Sequence, residues 1–274
     1  MDPIGKIISR RKYEFLQGLN QKTDEDIQQM KAYEADLSFR SGTNTKKVME
    51  YAQGIKKVAK TDLKRPSIGW LWKSFLLKFK ELELKDFQST PVTMENIKPL
   101  MYYFTGDIEN FKNSDNVSDR SKIDLKKGLL IVGNYGNGKT VTMEVLQKLL
   151  LHSALSFRTF NANDVVAMYD ACVGGSEKGH FFNRMNSGTV HFDDVKTERT
   201  ASNYGKVELF KDIIETRYAK KKKTFITCNY PENAPGDLEA ALNEFGERYG
   251  SRVYDRLFEM FNILEFKGKS FRGK

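Results

Sequence analysis

From Gly128 onward the chain alternates short apolar runs with longer stretches of helical periodicity. Residues 129–132, 157–160, 189–192, 224–227 and 263–266 are each brief apolar or β-branched runs, too short for helices and spaced by segments that repeat hydrophobic positions every three or four residues. Strands alternating with helices predict an α/β fold, a parallel sheet with helices on both faces. In such sheets ligands bind at the carboxyl ends of the strands. Before Gly128 the pattern differs. Residues 1–90 read as a small α-helical domain broken at Ser41-Gly42-Thr43 and at Arg65-Pro66-Ser67, with few β-branched runs and no hairpin chemistry. Residues 88–91 read as a joint, so the expected domains are 1–90 and 91–274. Within this stretch Leu71, Phe75, Phe79 and Leu82 recur at helical spacing, 93–104 reads as a helix and 113–127 as a polar loop. No internal repeat is visible.

Composition narrows the class. A chain of 274 residues with 39% hydrophobic and 30% charged side chains builds a core without disulfide or metal staples and is neither disordered nor fibrous. Lys and Arg number 45 against 36 Asp and Glu, a net charge of +9 that favours polyanionic partners. The excess is concentrated: residues 40–80 carry eleven Lys or Arg against two acids. Trp70, Trp72, Phe75 and Phe79 are interleaved with the last of these bases. The stripe reads as a packed helix face with Lys stems at its edge, or as a binding surface. Cys172 and Cys228 are isolated and lack a neighbouring Cys or His at ligand spacing, which suggests neither a disulfide framework nor a zinc site. No 18-residue apolar run and no signal-peptide block are present. The expected protein is soluble, cytoplasmic and not membrane-bound.

Candidate chemistry begins where the first strand ends. Gly133-Asn134-Tyr135-Gly136-Asn137-Gly138-Lys139-Thr140 fits G-x-x-x-x-G-K-[ST] and is followed from Val141 by a helical segment, 141–151. The glycines let backbone N–H groups close around a β-phosphate, Lys139 reaches the β and γ phosphates, and Thr140 offers a hydroxyl to Mg²⁺. ATP and Mg²⁺ are therefore the expected cofactors. The third strand ends in Asp193-Asp194, where Asp193 would hold the metal shell and Asp194 would polarise the hydrolytic water; a pair of surface-turn aspartates is the alternative. His191 reads as a strand residue. The fourth strand runs into Asn229, either a γ-phosphate sensor or the start of the turn before Pro231. Arg248, Arg252 and Arg256 recur every four residues in 245–260, which a continuous helix would place near one face. Arg256, with Arg252 as second choice, is the candidate arginine finger for a neighbouring subunit's nucleotide, unless these arginines simply bond nearby acids. Lys178 and Arg184, in a glycine-bearing stretch read as a loop over 174–188, are candidate phosphate contacts for DNA, as is the basic window.

In order, GNYGNGKT, HFDD, TFITCN and YGSRVYDRL, followed by Gly268-Lys269-Ser270-Phe271-Arg272, resemble the AAA+ ATPases of the DnaC/DnaI helicase-loader type from about residue 91 onward; IstB-type transposition ATPases share this core. The sequence departs from the family in ending soon after the last strand, so no C-terminal helical lid is expected. The resemblance implies a P-loop NTPase fold and an ATP-dependent replication protein. Its homo-oligomer would assemble through the arginine helix, bind single-stranded DNA and deliver a replicative hexameric helicase docked on the N-terminal domain. The IstB alternative implies a transposase partner and duplex DNA. Asp194 stands where many AAA+ proteins carry Glu, and turnover is expected to be slow until a partner or neighbouring subunit completes the site.

Overall fold

The computed structural model describes residues 16–17, 23–40, 65–202 and 206–272. The chain forms two compact units, Met1–Leu63 and Lys64–Lys274. In the first, α1 (Asp24–Arg40) opens on three acids, Asp24, Glu25 and Asp26, which suit the positive end of a helix. Thr23 and Asp26 cap it reciprocally: Asp26 N–H donates to Thr23 Oγ1 (3.3 Å) and Thr23 N–H to Asp26 Oδ2 (3.1 Å). The sequence-predicted break at 41–43 and the basic residues from 46 to 64 lie outside the described residues.

The second unit begins with three helices, α2 (Ile68–Glu83), α3 (Pro91–Thr105) and α4 (Ile108–Lys112). Ser67 accepts from the Trp70 N–H to start α2 directly after Pro66. Then come β1 (Gly128–Gly133), α5 (Lys139–Leu150), β2 (Arg158–Asn161), α6 (Ala162–Asp170), α7 (Gly175–Asn186) and β3 (Val190–Val195). A two-strand ribbon of β4 (Ala201–Ser202) and β5 (Lys206–Val207) leads to α8 (Leu209–Ala219), β6 (Thr224–Cys228), α9 (Leu238–Tyr249), α10 (Ser251–Met260) and β7 (Phe261–Phe266). Strands β1, β2, β3, β6 and β7 form one parallel sheet in the order β2-β3-β6-β1-β7. Each contains or overlaps the apolar run that predicts it.

Strand alternation then sorts the core into two layers. Leu130 and Val132 of β1 join a cluster with Val165 of α6, Ile213 of α8, Phe245 of α9 and Leu257 of α10. Leu129 and Ile131 face the other side, with Leu71 and Phe75 of α2, Leu100 and Phe104 of α3, and Leu146 of α5. The P-loop α/β core with helices on both faces is thus as the pattern predicts. At the opposite end of the sheet from the site, fully buried Arg217 donates to Met185 O (2.6 Å), Gly188 O (3.0 Å) and Lys223 O (2.6 Å). It ties the entries of β3 and β6 together.

Four local readings change. Residues at the expected joint, 88–91, lie inside the second unit, where the Leu71–Phe75 stripe of α2 packs with α3 and α5. The stretch 113–127 does more than loop: Val117 bridges Leu264, and Glu265 N–H donates to Asn116 O at 2.8 Å, so it covers the edge of β7. The supposed loop 174–188 is mostly α7, whose Phe181 and Met185 are buried. The helix expected over 245–260 is broken at Gly250, where φ 95° and ψ 159° end α9 and start α10. Only glycine adopts that backbone readily.

Candidate functional site

Three adjacent parallel strands, β3, β6 and β1, deliver their carboxyl ends to one cavity of about 520 Å³. The turn after β1 is shaped by Gly136 (φ 70°) and Gly138 (φ 94°), left-handed positions that fold the chain back before α5. Lys139 opens that helix. The residue is 7% exposed, and its ammonium donates to Gly133 O and Asn134 O, both at 2.8 Å, and to Asn229 Oδ1 at 3.0 Å. Burial lowers its pKa to about 8, against the pull of Asp194 and Asp193.

In a regular strand Asp193 and Asp194 would point to opposite faces. They do not, because the pairing of β3 with β6 shifts between Phe192 and Val195 and Asp194 sits at φ 60°. This bulge brings both carboxylates to the cavity wall. Thr140 Oγ1 donates to Asp193 Oδ1 at 3.1 Å, and the Thr227 hydroxyl donates to the same oxygen. Thr227 Oγ1 also accepts from the Asp194 N–H at 3.2 Å, so one hydroxyl fixes both ends of the bulge. Asn229 Nδ2 donates to Asp194 Oδ1 at 2.7 Å. Asn229 therefore bridges Lys139 and Asp194. His191 is fully buried with its Nε2 3.2 Å from Thr227 Oγ1, and burial holds its pKa down to about 4, so it is neutral within the strand.

The structure gathers Tyr135, Gly136, Asn137, Gly138, Lys139, Thr140 and Val141 with Asp193, Asp194 and Asn229 around this cavity. Gly133 and Asn134 contribute the carbonyls that hold Lys139. Arg248, Arg252 and Arg256 are not among its lining residues. Arg248 donates to the carbonyls of Lys196 and Glu198 and pairs with the Glu198 carboxylate at 2.9 Å. Arg252 is exposed. Arg256 lies 3.5 Å from Glu215 and 4.6 Å above the Tyr218 ring. Gly250 separates Arg248 on α9 from Arg252 and Arg256 on α10, so the three do not share one helix face.

Several lining residues carry no motif. Thr227 reads as an ordinary strand threonine, although its register opposite the Asp pair is a signal in hindsight. Asn161 closes β2 in register with Asp193. Phe79, Phe87 and Gln88 line the cavity from the α2–α3 region, and Phe271 and Arg272 do so from the segment after β7.

Solved structures similar to this chain include the DnaC helicase loader, 21% identical with a TM-score of 0.48 over 66% of this chain and 93% of that one. The DnaI structure is 17% identical with a TM-score of 0.44 over 67% and 89% of the two chains. A putative primosome component from Streptococcus pyogenes serotype M3 is 16% identical with a TM-score of 0.43 over 67% and 84%. No protein-family description and no curated protein matches the chain. Among the described residues no helix is long and apolar enough to cross a membrane.

Proposed function

We propose that the chain is an AAA+ ATPase of the DnaC/DnaI helicase-loader type. One observation carries the reading: Lys139, Thr140, Asp193, Asp194 and Asn229 converge on a single cavity at the carboxyl ends of three neighbouring parallel strands. That is the constellation phosphoryl transfer to water requires. The P-loop curve leaves room for a β-phosphate over the start of α5, and the Lys139 ammonium can exchange the carbonyls of Gly133 and Asn134 for the β and γ oxygens. Thr140 and Asp193 offer adjoining oxygen donors, the ligand type a hard cation takes, so these residues would hold Mg²⁺. Bound there, the ion would neutralise phosphate charge. Asp194 accepts the proton of the attacking water as its oxygen bonds the γ-phosphorus and the bridging oxygen leaves with ADP. Asn229, already on Asp194, orients that water. Arg256 or Arg252 would reach the nucleotide of a second copy in a homo-oligomer.

The wider role rests on charge and on the sequence resemblance. The basic window 40–80 and the α7 side chains Lys178 and Arg184 would contact single-stranded DNA, and the N-terminal region would dock the replicative helicase. The test is nucleotide titration and ATP turnover of three proteins. Wild type binds and hydrolyses ATP; Lys139→Ala loses binding by about a hundredfold, the worth of a buried charge-assisted contact. Asp194→Asn binds as wild type but turns over about a hundredfold more slowly or worse. Equal ATP affinity of wild type and Lys139→Ala would sink the assignment. Purification with bound ATP from the native host retrieves a hexameric helicase; a transposase in its place would overturn the loader reading.

A further inference from the structure

The segment after β7 is built onto the P-loop. Lys267 N–H donates to Asn96 Oδ1 and Asn96 Nδ2 returns a bond to Lys267 O, both at 2.9 Å, which anchors the segment to α3. The chain turns at Gly268 (φ 105°), and Phe271 N–H then donates to Gly136 O at 2.9 Å. Ser270 fills the space above Gly136 so closely that a Cβ there would stand 2.2 Å from Ser270 Oγ. A side chain at position 136 is thus barred twice, by its φ and by this neighbour. Ser270 Oγ also accepts from the Arg272 N–H at 3.1 Å. The resulting turn sets Arg272 on the wall of the same cavity as Lys139.

The other charges facing that cavity are largely accounted for. Asp86 pairs with Lys80 at 3.0 Å, Glu83 lies 3.8 Å from Lys85, and Asp193 and Asp194 are held by Thr140, Thr227 and Asn229. Among the described residues no carboxylate lies within ion-pair distance of the Arg272 guanidinium, which is solvent-exposed. Besides Lys85, which lies beside Glu83, the cavity wall carries two cations of different kind: the buried Lys139 ammonium and the exposed Arg272 side chain. A guanidinium presents a planar fork of donors that matches phosphate oxygens.

We propose that Arg272 is a phosphate-binding residue of the nucleotide site, brought to the polyphosphate by the Ser270–Phe271 latch on Gly136. The inference rests on the ATP-binding reading above and adds a second protein cation to it. Arg272 engages the nucleotide of its own subunit, unlike a finger supplied from a neighbour.

The experiment measures displacement of a fluorescent ATP analogue by ATP and by adenosine, for wild type, Arg272→Ala and Arg272→Lys of the full chain. In Arg272→Ala the ATP affinity falls about tenfold, the size of one charge-assisted hydrogen bond, while adenosine affinity and the melting temperature of the ligand-free protein stay unchanged. Arg272→Lys recovers part of the loss. Wild-type ATP affinity in Arg272→Ala overturns the inference and leaves the P-loop reading standing. An equal loss for ATP and adenosine also overturns it, because the contact would then be to the base or ribose, or the latch itself would have collapsed. A wild-type protein that binds no ATP fails the P-loop reading first, and this inference with it.

Discussion

The P-loop and the arginine segment are both defined by spacing, yet they fold to opposite effect. In 133–140 the fixed positions specify local backbone, and the Lys139 and Thr140 side chains end within hydrogen-bond distance of Asn229 and Asp193. In 248–256 the same regularity scatters three arginines: one clamped on the turn after β3, one in solvent, one on an acid and a ring of α8. Spacing that encodes a turn carries its geometry with it. Spacing that encodes a helix face depends on every residue between, and here Gly250 undoes it.

The sharpest way to break that contrast is to ask whether the scattered arginines are reunited by a second copy. Lys139→Ala and Arg256→Ala proteins are each expected to be inactive; mixed, they regain ATPase activity where an intact P-loop meets an intact Arg256. To act so, Arg256 must leave Glu215. Activity of the mixture no greater than the sum of the two parents would refute the finger, and rescue of Arg252→Ala but not of Arg256→Ala by the Lys139→Ala protein would move the role to Arg252.

Arg248 belongs to the fold on this account. Its carboxylate partner Glu198 is buried, its pKa raised by desolvation against the Tyr249 hydrogen bond and the Arg248 charge. Removing the guanidinium leaves that charge unpaired, so Arg248→Ala should lose about 3 kcal/mol in urea unfolding, with no rescue of turnover on mixing. A variant as stable as wild type would overturn the structural role of Arg248.

The mildest test lies on the P-loop side and uses pH. The ordinary lysine value is 10.5, and in the ligand-free site burial lowers that of Lys139 to about 8. A polyphosphate favours the charged form, so above about pH 8 binding takes up a proton. ATP affinity should then fall with rising pH, by at most about tenfold per unit. Calorimetry in buffers of different ionisation enthalpy reads that uptake directly; an affinity flat from pH 8 to 9.5 would mean that Lys139 is already fully charged there.

Much of the sheet was legible because each strand is an apolar run with helical periodicity on either side, and the P-loop because its glycines and lysine sit in adjacent positions. Asp193 and Asp194 were legible as a pair, but the bulge that turns both inward was not, since it depends on the Thr227 hydroxyl from a neighbouring strand. Phe87 and Arg272 were illegible as site residues for a similar reason: they reach the cavity from segments flanking the α/β repeat, through contacts 171 residues apart in sequence such as Asn96 with Lys267. The loop reading of 174–188 leaned on its glycines, yet Gly175 and Gly179 sit in α7 while Phe181 and Met185 supply the burial that holds it.

The bridge from Val117 to Leu264 bears on how copies of this chain can associate. A parallel sheet has two rims, and each is a row of backbone donors and acceptors that invites strand addition by another chain. Here the β7 rim is already occupied by residues 116–118, whose backbone bonds to Ile263 and Glu265 use up part of it. The β2 rim is only four residues long. Growth by edge-to-edge strand pairing is therefore disfavoured on both sides. Any self-association of this unit would instead run through side-chain surfaces, which separate and re-form without unpicking the sheet.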